Sequence, residues 1–213
     1  MLLLLVRHAQ SEANARVDGA TIDCSLTDLG RRQAAAAARK LVDTGIDLVL
    51  SSPYSRALQT AEVIRQAANV PAEIVPLLHE HHLQPFPADW PLMSRAAIAE
   101  QFPRFRIPDD WRDAAWHTPP EDHEAALERA RCVVADLSAR FAATPDVRVA
   151  LVSHGSPIGK LILAFAGVPT TRDLTVTIDN ASISALYEGY GQRYVHAVNR
   201  VDHLGSLAAP DVW

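Results

Sequence analysis

Leu2–Asn14 reads LLLLVRHAQSEAN. An unbroken aliphatic run of strand length is the mark of a strand buried on both faces, as in a parallel sheet covered by helices. The run stops at Arg7-His8 and is followed by small and polar residues. A strand that ends in a cation and an imidazole delivers both to the carboxyl edge of a sheet, where open α/β sheets bind their ligands. A strand merely emerging into solvent would leave the same pair, so the weight falls on how other strands end. Two others end in the same way. Ile46–Leu50 runs into Ser51-Ser52-Pro53 with Arg56 close behind, and Val147–Ser153 runs into His154-Gly155.

Helices are expected between these strands. In LTDLGRRQAAAAARKLVDTG, Thr27 is a suitable N-cap, the alanine-rich run has high helix propensity, and Gly45 suits the left-handed residue after the last turn. Ser52 could cap a second helix with Pro53 in its first position. That helix would run to about Ala68, burying Ala57, Ala61, Ile64 and Ala68 on one face, before Asn69 and Pro71 end it. Thr118-Pro-Pro-Glu121 reads as a capping box ahead of a helix with Leu127, Ala130, Val134, Leu137 and Phe141 in one stripe. Ser156 and Pro157 open a further helix that Gly167 closes. Ala72–Val75 is β-like, and Ser182–Tyr187 with Tyr194–Val198 suggests a hairpin. Alternating strands and helices imply an α/β fold: a three-layer α/β/α sandwich, its sheet mostly parallel, with helices on both faces.

Residues 76–120 interrupt this alternation. Pro85, Pro87, Pro91, Pro103 and Pro108 punctuate the stretch, which also holds Trp90, Trp111 and Trp116 and could form a helix around Leu92–Gln101. A linker would not carry three tryptophans, so the segment is expected to be a lid-like insertion over one edge of the sheet, with 1–213 as a single domain.

Composition narrows the function. The chain has 213 residues, 48% hydrophobic and 21% charged, with a formal net charge of −5. It is long enough for one substantial core. The acidic balance and the lack of Lys/Arg runs argue against a nucleic-acid partner. No stretch approaches the length of a membrane span, and Met1–Val6 is too short for a signal segment, so a cytoplasmic protein is expected. Cys24 and Cys132 are the only cysteines and form no disulfide framework.

If the three strands are parallel neighbours, Arg7, His8, Arg56 and His154 meet at one edge. Two guanidiniums can grip a phosphoryl group in bidentate fashion, and helix N-termini add N–H groups and favourable dipole ends. Two imidazoles beside such a cradle suit covalent phosphoryl transfer, one as nucleophile and the other stabilising charge.

RHAQSEAN, SLTDLGRRQA, SSPYSRALQT, PLLHE and LVSHG, with VNRVDHL near the C-terminus, resemble in order and spacing the motifs of the histidine phosphatase (phosphoglycerate-mutase-like) superfamily, phosphatase branch. The resemblance implies that His8 attacks phosphorus and becomes a phosphohistidine. Arg7, Arg56 and His154 would hold the equatorial oxygens, with Asn14 and Gly155 as further phosphate contacts. Glu80, in Pro76-Leu-Leu-His-Glu80, would protonate the leaving oxygen and then activate water. His8 would be neutral, its other ring nitrogen donating to a backbone carbonyl. No metal and no cofactor is implied. Ala9 stands where the family has glycine, Ala13 where glycolytic mutases have tryptophan, and HHLQPFPADW replaces the usual segment after Glu80.

The expected activity is hydrolysis of a small phosphorylated metabolite, a phosphomonoester. The alternatives are a cofactor-dependent phosphoglycerate mutase, a phosphohistidine-protein phosphatase, and a catalytically silent phospholigand-binding module. The expected partner is a small phosphorylated substrate, with no nucleic acid and no membrane, and a homodimer is left open. His79, His81 and His82 next to Glu80 lack the HExxH spacing of a metal helix, and one of them is expected to line the substrate pocket.

Overall fold

The structure is a computed structural model describing residues 1–84, 92–111, 120–170 and 174–208. Its centre is one seven-stranded sheet in the order β4-β3-β2-β5-β1-β6-β7. The strands are β1 (Leu2–Arg7), β2 (Leu48–Ser51), β3 (Ala72–Ile74), β4 (Phe105–Arg106), β5 (Arg148–Ser153), β6 (Ile183–Gly189) and β7 (Gln192–Arg200). Pairing is parallel from β4 across to β1 and antiparallel from β1 through β6 to β7. β5 therefore lies between β1 and β2, and the three strands expected to end at the site are parallel neighbours.

Side-chain alternation divides the core between the two faces. Leu3, Leu5, Leu50, Val149 and Leu151 pack with α4 (His123–Arg140) and α5 (Gly155–Phe165). Leu4, Val6, Val49, Ala150 and Val152 pack on the other face with α1 (Asp28–Thr44), α2 (Ser55–Ala68) and α3 (Arg95–Gln101). Fully burying one such aliphatic side chain contributes about 1.5–3 kcal/mol. The three-layer arrangement follows directly from this alternation.

Several ends form as the residues dictate. The Thr27 side chain accepts from the Gly30 N–H, Gly45 closes α1 at φ 78°, and Asn69 closes α2 in the left-handed region. The hairpin between β6 and β7 turns through Tyr190 and Gly191, both at positive φ. The alanine-rich α1 lies against α2 because its buried face, including Ala34, Ala37 and Leu41, admits close approach.

Other ends differ from expectation. Ser52 does not cap α2, which begins at Ser55 after Tyr54; the Ser52 hydroxyl is instead committed to His154, and Asp23 Oδ1 accepts from the Ser55 N–H. α4 starts at His123 with Asp122 as its N-cap, while Thr118 lies outside the described residues. Within 76–120, α3 and the edge strand β4 extend the sheet, with Ile98, Phe102 and Phe105 buried. Trp111 packs against the same cluster. Residues 85–91 and 112–119, with Trp90 and Trp116, lie outside the described residues, as does the lid expected of them. Cys24 is buried, Cys132 is exposed, and both are free. No helix among the described residues is long and apolar enough to cross a membrane.

Candidate active site

Because β1, β5 and β2 are adjacent and parallel, the residues that follow them converge. His8 is buried, and its Nδ1 lies 2.8 Å from the Ala9 carbonyl oxygen. A carbonyl can only accept, so Nδ1 carries the proton and Nε2 keeps a lone pair. Arg56 Nε donates to that Nε2 at 3.1 Å. Burial, and then the charges of Arg56 and Arg7, hold the His8 pKa well below the ordinary histidine value. His8 is thus a neutral imidazole with a defined nucleophilic nitrogen.

His154 is fully buried, its ring 5.1 Å from that of His8 between centroids. Ser52 Oγ lies 2.8 Å from His154 Nε2 and also accepts from the Tyr54 N–H at 3.4 Å. The serine hydroxyl can donate to His154 Nε2, and in that arrangement the imidazole proton stands on Nδ1. Among the described residues that Nδ1 has no hydrogen-bond partner, and it stands 3.6 Å from Glu80 Oε2. Burial first, then Arg56 and His8, push the His154 pKa well down. A buried N–H with nothing to bond is costly unless a ligand completes it.

Arg56 is buried in the first turn of α2, anchored by Nη1 to the Ile22 carbonyl at 2.5 Å and stacked 4.6 Å from the Tyr54 ring centroid. Its Nη2 reaches Glu80 Oε2 at 3.8 Å. Arg7 Nη1 donates to the Ile178 carbonyl at 2.5 Å. The loop that carries Ile178 backs the site: Asn180 Nδ2 donates to the His8 carbonyl, and Ala181 N–H to the carbonyls of Arg7 and His8. Asn199 holds this loop through Asp179, and His203 through the Ala181 carbonyl, so VNRVDHL acts as a support behind His8.

Glu80 follows a 3-10 turn, Pro76–Leu78, whose carbonyls are pinned from outside. Ser153 Oγ donates to the Leu78 carbonyl, and Arg129 donates to the carbonyls of Leu77 and His79 while paired with Glu121. Glu80 Oε1 accepts from the His81 N–H at 2.9 Å, leaving Oε2 turned towards Arg56 and His154. The three neighbouring histidines are all engaged. His79 bonds the Glu80 carbonyl, His81 spans Ser156 Oγ and the Glu121 carbonyl, and His82 Nε2 meets the Tyr54 hydroxyl.

Two residues implied by the resemblance are less directly placed. Asn14 Oδ1 accepts from Ser11 N–H, Ser11 Oγ and Asn180 Nδ2, a network its own amide NH2 does not join. Gly155 opens α5, where an added Cβ would touch Arg7 Nε at 3.5 Å. Ala9 keeps a negative φ, so its methyl brings no strain. Ligating atoms of His8, Glu80 and His154 lie within 4.8 Å of one another. Two guanidiniums beside them make that spot a cradle for an anion and a poor one for a metal cation.

Sequence reasoning missed the supporting residues. Tyr54, Asn180 and Arg129 act through backbone carbonyls and ring faces, and only the SSPYSR run, where Ser52 and Arg56 share a motif, hinted that Ser52 belongs to the site.

The comparisons with known proteins agree with this geometry. Residues 3–201 match the family model described as the histidine phosphatase superfamily (branch 1). The chain is 35% identical to a glucosyl-3-phosphoglycerate phosphatase of Mycolicibacterium vanbaalenii over 175 residues, 78% of this chain and 75% of the relative. It is 31% identical to a probable phosphoglycerate mutase of Proteus mirabilis, covering 98% of this chain and 97% of that one. The solved structure of a mycobacterial glucosyl-3-phosphoglycerate phosphatase in complex with VO3 superposes with a TM-score of 0.69 at 28% identity, covering 94% of this chain and 99% of that chain. With its motifs, sheet order and paired histidines all in agreement, the chain belongs to the histidine phosphatase superfamily, branch 1.

Proposed function

We propose that this protein hydrolyses a small phosphomonoester through a phosphohistidine at His8. The observation that carries the reading is the pairing of a neutral His8, its Nε2 lone pair held by Arg56, with a neutral, buried His154 whose Nδ1 has no hydrogen-bond partner among the described residues. An arriving phosphoryl group takes over the N–H groups of Arg56 and frees that lone pair. Nε2 attacks phosphorus, the P–N bond forms, the P–O bond to the leaving alcohol breaks, and Glu80 supplies its proton to the leaving oxygen. Arg7, Arg56 and His154 Nδ1–H follow the equatorial oxygens, with the Asn14 amide and the Gly155 N–H as further donors. Water then attacks phosphorus, Glu80 accepts its proton, and the P–N bond breaks to release inorganic phosphate and neutral His8. General acid–base help of this kind contributes about 10²–10⁴-fold. No step needs a metal or an organic cofactor.

A phosphoglycerate mutase is the second reading, since the relative from Proteus mirabilis bears that name at 31% identity. A mutase returns the phosphoryl group to substrate and leaves little free phosphate. The experiment is release of phosphate from p-nitrophenyl phosphate by wild type and His8→Ala, with trapping of an acid-labile phosphoryl adduct on His8. Equal turnover by the two proteins would overturn the phosphohistidine route.

A further inference from the structure

Glu80 is turned into the nest, yet the nest does not hold it by hydrogen bonds. Its Oε2 stands 3.8 Å from Arg56 Nη2 and 3.6 Å from His154 Nδ1, separations that attract a carboxylate without orienting it. Among the described residues the hydrogen bond on this carboxylate is the one from the His81 N–H to Oε1, at 2.9 Å. The direction of the acid therefore follows the direction of one peptide N–H. Residues 79–82, which carry that amide, belong to no helix or strand. Backbone of this kind is fixed by the ties of its own carbonyls and side chains. Before Glu80 those ties are Ser153 and Arg129, on the carbonyls of Leu77, Leu78 and His79.

After Glu80 the tie is the His81 ring. The Glu121 carbonyl can only accept, so Nε2 carries the ring proton and donates to it at 3.0 Å. Nδ1 is then an acceptor, and the Ser156 hydroxyl donates to it at 3.0 Å. Both ring nitrogens are thus taken by the protein. The Glu121 anchor is itself fixed, its N–H on the His82 carbonyl and its carboxylate on Arg129. Ser156 lies in the first turn of α5, two residues after His154. We infer that His81 is a positioning residue for general acid catalysis: its ring holds the peptide N–H that aims Glu80, and holds it from the turn that presents His154. The inference rests on the phosphatase reading, in which Glu80 protonates the leaving oxygen, and adds the device that sets where the proton is delivered. Acid and His154 are thereby kept in one frame, and a reacting group displaced by about 1 Å loses up to about 10²-fold in rate.

The test measures kcat/KM for benzyl, phenyl and p-nitrophenyl phosphate. That constant covers the steps up to loss of the alcohol and leaves out hydrolysis of the phosphohistidine. His81→Phe keeps a ring and removes both of its bonds. It is expected to lower kcat/KM about 10- to 100-fold for benzyl phosphate, whose leaving oxygen must be protonated, and less than about threefold for p-nitrophenyl phosphate, with phenyl phosphate between. Glu80→Gln, measured alongside, gives the slope of a missing acid. Ser156→Ala cuts the tie at its other end and should tilt the series the same way by a smaller factor; it carries the test if the phenylalanine variant fails to fold. An equal loss on all three substrates marks His81 as a structural residue only and overturns the inference, as does an unchanged series, and both leave the phosphatase reading intact. An even loss across the series in Glu80→Gln removes the acid from that reading and this inference with it. Wild type that releases phosphate from none of the three overturns the phosphatase reading itself.

Discussion

Arg56 Nε donates to His8 Nε2 at 3.1 Å, so that nitrogen is held unprotonated and aimed, and in the proposed mechanism the same guanidinium then takes up the phosphoryl oxygens. Lysine cannot reproduce this, because a point charge lacks the planar fork that serves His8, Ile22 and Glu80 together. Arg56→Lys is expected to lower kcat by about 10²–10³-fold, the usual loss for a preorganised donor. Steady-state kinetics with p-nitrophenyl phosphate check it, and a loss under threefold would remove Arg56 from the transition state.

Glu80 is held with one oxygen on the His81 N–H and the other facing the nest. Glu80→Gln should cost about 10²–10⁴-fold with an alkyl phosphate, where the leaving oxygen must be protonated. The deficit should shrink with p-nitrophenyl phosphate, whose leaving group needs little help. A loss independent of leaving-group acidity would deny Glu80 the role of acid.

Ser52 touches His154 and no phosphate contact is assigned to it, so it is a positioning residue. Ser52→Ala removes the hydroxyl bonded to His154 Nε2, which in the proposed arrangement keeps the ring proton on Nδ1. An approximately tenfold fall in kcat with little change in KM is expected, because the lost alignment concerns the transition state. In ring-nitrogen NMR the wild-type His154 should show its proton on Nδ1, and the alanine variant a mixture. An unaltered spectrum would separate Ser52 from the tautomer.

Acid should destabilise the fold before the carboxylates titrate. Burial lowers His79 to about 4 and His82 to about 3, and holds His8 and His154 well below 6.5. Below the unfolded histidine value near 6.5 the unfolded chain binds more protons than the folded one, so unfolding is favoured progressively as pH falls. Tm should therefore decline between pH 7 and pH 5, and His82→Gln should flatten the slope. A Tm constant over that window contradicts the burial of these rings.

Gly30 sits in the first turn of α1 against the Gln10 carbonyl, where an added Cβ would fall far inside van der Waals contact with a backbone atom that cannot swing aside. Gly30→Ala is predicted to cost about 1–3 kcal/mol or more, seen as a lower midpoint in urea unfolding, and to disturb the His8 loop with it. Wild-type stability would mean that the helix can retreat freely.

The three strand ends, the caps at Thr27 and Gly45 and the stripe on α4 were legible in the residues because each is a local rule with a fixed period or a fixed end. The meeting of Arg7, His8, Arg56 and His154 was legible because parallel neighbours end on the same side. Ser52 was misread as a cap since a serine before proline satisfies that pattern equally well, and the choice was decided by an imidazole a hundred residues away. β4 was not foreseen: Phe105–Arg106 is two residues long, and nothing so short shows alternation.

The position of β5 between β1 and β2 also bears on how the protein is made. Among the described residues β1 pairs only with β5 and β6, so its backbone has no strand partner until well over a hundred further residues have been translated. Contacts of such long range form slowly and leave an apolar segment bare in the interval. A nascent or prematurely terminated chain carries His8 early, yet the cluster of His8, Arg56 and His154 is incomplete until translation passes His154. Only a chain synthesised past that point can be an enzyme.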